Sequence, residues 1–281
     1  MTHSSNDSQN PNNTLIVGGT GKTGSRIVER LTAAGVPVRI GSRTGTPNFD
    51  WLDSTTWGPV LEGMANIYIS FYPDLALPGT TDIIRAFTAQ AVRSGAQRFV
   101  LISGRGESEA QACEKIVQQA GVKWTILRVS WFCQNFSEGF MKDMVLNGAV
   151  TLPPGAVKEP FIDIDDIADA AVVALTEQGH SGKIYEMTGP QLLTMTEAVA
   201  VISDITGKEI QYIQISPDDL MTGLKQQGLP APLVSLYHYL FTTVLDGRNA
   251  QLTDGVKQIL GRDPRSFETY TQAAAAAGAW G

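Results

Sequence analysis

Short apolar runs alternate along this chain with longer stretches in which apolar residues recur every three or four positions. The runs at 14–17, 38–41, 66–70, 98–103 and 124–128 read as strands, each short and bounded by turn residues or charges. The stretches between them read as helices. Ile27, Val28 and Leu31 share one face before Gly35, and Ile83, Ile84, Phe87 and Ala91 share one within 82–94, closed by Gly95. A third helix is expected at 108–120, closed by Gly121, while 44–58, with Gly45, Pro47 and Gly58, reads as a loop. Strands alternating with helices of this length predict βαβ units. The expected fold is α/β, a Rossmann-type doubly wound parallel sheet.

From about residue 131 the alternation weakens. Residues 160–175 read as a short strand leading into a capped helix, and 183–187 as one more strand. Helices are expected at 194–206, 217–227, 230–245 and 251–260. The division that follows is a sheet domain at 14–150, joined by the later strand, and a smaller, mostly helical C-terminal substrate part at 151–281. Residues 1–13, polar and rich in Ser and Asn, read as a disordered lead-in without the apolar segment of a secretory signal.

Composition narrows the functions. The 281 residues are 43% hydrophobic, enough for a sizeable core, and no apolar run is long enough to span a bilayer. The formal net charge is −7 and no run of Lys or Arg occurs, which argues against nucleic acid as a partner. Two cysteines, Cys113 and Cys133, make no disulfide framework and suit a reducing cytoplasm. His3, His180 and His238 are far apart, and no spacing suggests a metal site.

Residues 18–24 read GGTGKTG, which overlaps three phosphate-binding patterns. A nucleotide-triphosphate P-loop needs its first Gly at position 16, where Ile16 stands inside the strand. A flavin-phosphate loop is suggested by Thr20 to Thr23 but leaves the three glycines incidental. The dinucleotide reading uses all of them. Gly18 allows the tight exit from the strand, Gly21 lets the backbone approach a pyrophosphate, and Gly24 lets the helix pack on the sheet. The pyrophosphate then meets free amides and the positive end of the helix dipole. Thr20, Lys22 and Thr23 are candidate phosphate contacts, with a solvated surface lysine as the alternative for Lys22.

The chain from 30 to 49 contains no acidic residue, so the carboxylate that would hold unphosphorylated ribose hydroxyls is missing. The second strand instead ends in Gly41-Ser42-Arg43, where Arg43 can pair with a 2′-phosphate and Ser42 can add a hydrogen bond. The expected cofactor is NADP(H). Ser70 and Phe71, at the end of the third strand, and Ser103 and Gly104, at the end of the fourth, are expected to approach it from neighbouring strand ends.

GGTGKTG, GSR, LISGRGE, WTILRVSWFCQNF and EPFIDIDDIADAA together resemble the NmrA-like branch of the atypical short-chain dehydrogenases/reductases. The resemblance covers nearly the whole chain after residue 13. It implies a Rossmann domain binding NADP(H) with a small C-terminal substrate part. The family includes quinone reductases, flavin-free azo-dye reductases, ergot-alkaloid iminium reductases and redox-sensing regulators without turnover. SWFCQNFSEGF and DGRNAQLTDGVKQILGRDPRSF look most like the reductases, the azo-dye reductases first. The chain departs from the superfamily at one point: no tyrosine is followed four places later by lysine, so the usual proton relay is missing. Lys115 is present on the helix after Ser103, but position 111 is Gln.

Without that relay, an electron-poor acceptor such as a quinone, azo bond, iminium ion or enone is expected, protonated by water or a loosely placed side chain. Ser103, Tyr72 and Lys115 are the candidates for a catalytic role. Tyr72, Trp131, Phe132, Asn135 and Phe136 lie in loops after strands, where open α/β sheets bind ligands, and Tyr237 and His238 lie in the helical part. These are the candidate walls of a site for a flat aromatic substrate, or alternatively the packing that joins the two parts. Arg105 is a candidate for an anionic substituent, or a solvent-facing loop arginine. Asp163, Asp165 and Asp166 are explained by helix capping. The expected protein is a cytoplasmic monomer or homodimer that delivers hydride from NADPH to an azo compound or quinone. The alternatives are an iminium or enone reductase, and a non-catalytic NADP(H) sensor.

Overall fold

The apolar runs do form the strands of one sheet in the computed structural model, which describes residues 13–281. The lead-in expected at 1–13 lies, apart from Asn13, outside the described residues. In chain order the elements are β1 (Thr14–Val17), α1 (Lys22–Ala33), β2 (Val38–Gly41), α2 (Trp57–Leu61), β3 (Asn66–Ile69), α3 (Thr80–Arg93), β4 (Arg98–Gly104), α4 (Ser108–Gln118) and β5 (Lys123–Val129). There follow α5 (Asn135–Glu138), α6 (Met141–Leu146), β6 (Ala149–Leu152), α7 (Ile164–Thr176), β7 (Lys183–Met187), α8 (Met195–Thr206) and β8 (Gln211–Gln214). The last elements are α9 (Pro217–Gln226), α10 (Ala231–Tyr239), α11 (Gly255–Leu260) and α12 (Phe267–Ala276).

Six strands form a sheet in the order β2-β1-β3-β4-β5-β7. β1 pairs in parallel with β2 and β3, and β3 with β4. β1 and β3 are wholly buried, as expected of central parallel strands covered on both faces. Because β1 lies between β2 and β3, the connections leave it in opposite directions. The carboxyl ends of β1 and β3 therefore border the topological switch point, where doubly wound sheets bind their ligands.

The chain divides into two compact units. Among the described residues, unit 1 comprises 13–103, 111–127 and 171–184; unit 2 comprises 104–110, 128–170 and 185–281. Neither is one continuous segment. Residues 104–110 and 128–150, expected with the sheet domain, lie in unit 2, and 171–182, expected with the helical part, lie in unit 1. In unit 1 the segment 44–58, expected as a loop, carries a short 3-10 turn and α2 and buries Phe49, Trp51 and Trp57. Their rings meet Phe87 of α3 at 4.8–5.7 Å between centroids.

Unit 2 has its own core and a second, two-stranded parallel sheet of β6 and β8, which the sequence pattern did not predict. Phe136, Phe161, Phe267, Tyr270 and Trp280 pack together there. The Trp280 indole N–H donates to the Phe136 carbonyl at 2.9 Å, and the Tyr270 hydroxyl to Ser137 Oγ at 2.8 Å. Asp166 is more than a cap. It is fully buried in α7 and paired with Arg262 at 2.7 Å and with Arg265.

Candidate functional site

The glycine loop opens where β1 ends. Gly18 has φ +73°, a backbone state that side chains rarely adopt, and its N–H donates to the Gly41 carbonyl at 2.9 Å. A Cβ on Gly24 would stand 2.1 Å from the Gly18 oxygen, so only glycine lets α1 start this close to the loop. Gly21 is the N-cap of α1 and brings no side-chain cap, and no acidic residue occupies the first turn. The amides of that turn and the positive end of the dipole are therefore open to an anion. This cradle, which added side chains would fill, fits a dinucleotide pyrophosphate.

The candidate contacts around it differ in kind. Thr20 and Gly21 are exposed, and Lys22 is half-buried. Thr23 is buried and its Oγ1 accepts from the Tyr68 hydroxyl of β3 at 3.0 Å. Burial pushes the Tyr68 phenol well above its usual range, so it remains a neutral donor. Ser70 is half-buried beside Gly18, and its carbonyl accepts from the Trp51 indole at 3.1 Å. Phe71 packs on Trp51 with centroids 5.0 Å apart.

At the end of β2, Ser42 is buried, 3.5 Å by its Oγ from Thr44 Oγ1, and its carbonyl closes a turn by accepting from Gly45 and Phe49. Arg43 is exposed, and its guanidinium carbon lies 5.8 Å from the centre of the Tyr72 ring. No described residue gives Arg43 a hydrogen-bond or ion-pair partner. Tyr72, singled out for the substrate or for catalysis, thus stands beside the arginine singled out for the 2′-phosphate.

Ser103, expected near the cofactor, is only 2% exposed, and its hydroxyl donates to Glu114 Oε1 at 2.6 Å. Glu114 was not anticipated. It belongs to the buried face of α4 with Ala110, Cys113 and Val117, while the expected Lys115 is exposed on the other side. The i, i+3, i+4, i+7 spacing of that face was the available signal.

The candidates in unit 2 are mostly inward-facing. A Cβ on Gly104 would stand 2.1 Å from the Glu107 carboxylate, which would have to shift to admit it. Arg105 is buried, which corrects the solvent-facing alternative. Its Nε donates to Glu186 at 2.7 Å, and its Nη1 to the carbonyls of Asn249 at 2.7 Å and Gln251 at 3.0 Å. Its Nη2 has no hydrogen-bond partner among the described residues. Phe136 lies wholly in the core, which corrects its place in a substrate wall, and Trp131 packs on Phe241 at 5.4 Å. The Trp131 N–H donates to Glu159 at 3.3 Å. Glu159 is buried, and this pushes its carboxyl up to about 7 despite the Arg105 charge.

Phe132 and Asn135 are half-buried, with the Asn135 N–H donating to the Phe132 carbonyl at 3.2 Å. Tyr237 lies between Phe140 and Phe241, at 5.3 and 6.4 Å. His238 is exposed and lines an open cavity of about 640 Å³ with Met221, Lys225 and Leu229. A larger cavity of about 860 Å³ in the same unit is lined by Pro153, Pro154, Lys158, Gln214, Phe241 and Leu245 among others. Both cysteines are buried, and burial raises both thiols, so neither is activated. No cluster among the described residues could hold a metal, and no helix among them is long and apolar enough to cross a membrane.

Comparison with known proteins adds an independent line. Residues 109–252 match the sequence profile of the NmrA-like family. The uncharacterized oxidoreductase YesF of Bacillus subtilis is 34% identical, covering 95% of this chain and 96% of its own. Agroclavine dehydrogenase of Claviceps fusiformis is 30% identical over 91% of this chain and 95% of its own. NAD(P)H azoreductase of Xenophilus azovorans is 27% identical over 94% and 98%. Among solved structures, the NADPH-dependent quinone oxidoreductase QOR2 of Escherichia coli, complexed with NADPH, superposes with a TM-score of 0.77 at 21% identity. That match covers 92% of this chain and 99% of QOR2.

Proposed function

The chain belongs to the NmrA-like family, and we propose that it is an NADP(H)-dependent oxidoreductase that works without a flavin. The acceptor is an electron-poor aromatic compound, of azo or quinone type. The observation that carries the reading is the pair of anion-binding features beside the switch point. One is the open first turn of α1, and the other is Arg43 with its donors uncommitted. The names of the azoreductase and of the quinone oxidoreductase support the acceptor class.

In this reading the amides of Lys22 and Thr23 hold the pyrophosphate, and the Gly24 contact fixes how closely it approaches. Arg43 neutralises the 2′-phosphate, for which no carboxylate competes between 30 and 49. Tyr68, by donating to Thr23, ties the start of α1 to β3 and keeps the loop preorganised. The reduced nicotinamide supplies the hydride. Because the Tyr-x-x-x-Lys relay is missing and the Ser103 proton is directed to Glu114, the acceptor takes its proton from water.

Purified protein should be colourless and should oxidise NADPH when an azo dye or a quinone is added. A flavin spectrum, or tight NADPH binding with no turnover across azo dyes, quinones, enones and iminium ions, rejects this reading. The second of those outcomes is that of a redox sensor. The 30% identity to agroclavine dehydrogenase favours a second reading, an iminium reductase, which predicts turnover with iminium ions only.

A further inference from the structure

We propose that Tyr72 is a positioning residue that holds Arg43 for the adenosine 2′-phosphate and so sets the preference for NADP(H) over NAD(H). This rests on the cofactor reading above. Tyr72 follows β3 and Arg43 follows β2, the two strands that flank β1. Their side chains meet with the guanidinium carbon 5.8 Å from the ring centre.

A guanidinium held over a ring by cation–π attraction makes no hydrogen bond to it and so keeps its N–H donors for a phosphate. The other well-placed arginine of this region is spent differently. Arg39 gives its Nη1 to the carbonyls of Pro59, Val60 and Glu62 at 2.7–3.3 Å, and so braces α2. Arg43 has no such partner among the described residues.

The carboxylates that follow Arg43 in the chain are also committed locally. Asp50 accepts from the Leu52 N–H at 2.9 Å, and Asp53 from the Thr55 N–H at 3.0 Å. The ring thus supplies the order that a salt bridge would otherwise give, without consuming a donor. Tyr72 is 71% exposed, too exposed to serve the core. Nothing in this role needs its hydroxyl.

The test is the dissociation constant of NADPH and of NADH, read by fluorescence titration, for wild type, Tyr72→Phe, Tyr72→Ala, Arg43→Ala and the double variant. Tyr72→Ala should weaken NADPH roughly two- to five-fold and leave NADH unchanged. Tyr72→Phe should match wild type, and in the Arg43→Ala background Tyr72→Ala should do nothing further. Equal weakening of both cofactors means that the ring stacks on the adenine itself and overturns the proposal, as does no change for either. If wild type binds NADH as tightly as NADPH, or if Arg43→Ala leaves a preference intact, the cofactor reading fails, and this assignment with it. Circular dichroism of each variant separates these outcomes from loss of fold.

Discussion

Ser103 gives its hydroxyl proton to Glu114 at 2.6 Å, and both side chains are buried. The distance is that of a short O–H···O hydrogen bond, with the serine hydroxyl as the donor. Ser103, a candidate for a catalytic role from its place in β4, therefore directs its hydroxyl toward α4 within unit 1. Ser103→Ala removes a donor from a buried carboxylate and should cost about 1–3 kcal/mol of stability in urea titrations. Turnover with a quinone should fall less than about ten-fold, whereas a general acid would cost about a hundred-fold or more.

Glu159 makes stability depend on pH in an unusual direction. Burial raises its carboxyl from 4.5 to about 7, so between those values the unfolded chain has released a proton that the folded chain keeps. Unfolding is then favoured as pH rises, and the fold loses about 3 kcal/mol across that window. Glu159→Gln keeps an acceptor for the Trp131 N–H and removes the charge. The variant should be more stable than wild type at about pH 8, with the difference gone or reversed at about pH 5, by urea unfolding at both.

Gly24→Ala tests the cradle. The new methyl would have to occupy space 2.1 Å from the Gly18 oxygen and 2.8 Å from the Gly19 Cα, so the loop or the helix start must move. NADPH affinity should fall by more than about ten-fold, the scale of about 1.4 kcal/mol of lost contact. Gly35→Ala, where a Cβ meets nothing but φ is +72°, should destabilise modestly and leave affinity alone.

Arg105→Lys separates shape from charge. Lysine has no planar fork to reach Glu186 and the two carbonyls of Asn249 and Gln251 together. Glu186 is 37% exposed and lysine keeps the charge, so the expected loss is about 1–3 kcal/mol, set by the carbonyls left without a donor and measured by thermal and urea unfolding. A loss below about 1 kcal/mol would mean that the fork is not what holds these segments.

Strands with continuous apolar runs were legible because both sheet faces demand them, and β7 matches its expected bounds at 183–187. β6 and β8 were not, because β8 reads Gln211, Tyr212, Ile213, Gln214 and stays largely exposed, with no apolar run to mark it. α12 was missed because a run of alanines gives little periodic contrast. The segment 44–58 looked like a loop from its Gly and Pro residues, yet Trp51 and Trp57 make it part of the core. At the site, the glycine loop and Arg43 could be read from local spacing alone. The Ser103–Glu114 and Arg43–Tyr72 pairs could not, since each joins residues that only the fold brings together.

The interleaving of the two units bears on how the chain can be handled in the laboratory. Arg98, at the start of β4, donates at 2.8 Å to the carbonyls of Ala174, Leu175 and Glu177, which close α7 some eighty residues downstream. A gene fragment cut at residue 150 would therefore express a cofactor-binding half stripped of its own closing segment. Split reporters and domain-swapped chimaeras built on that cut should yield insoluble pieces, and the chain has to be grafted or exchanged whole.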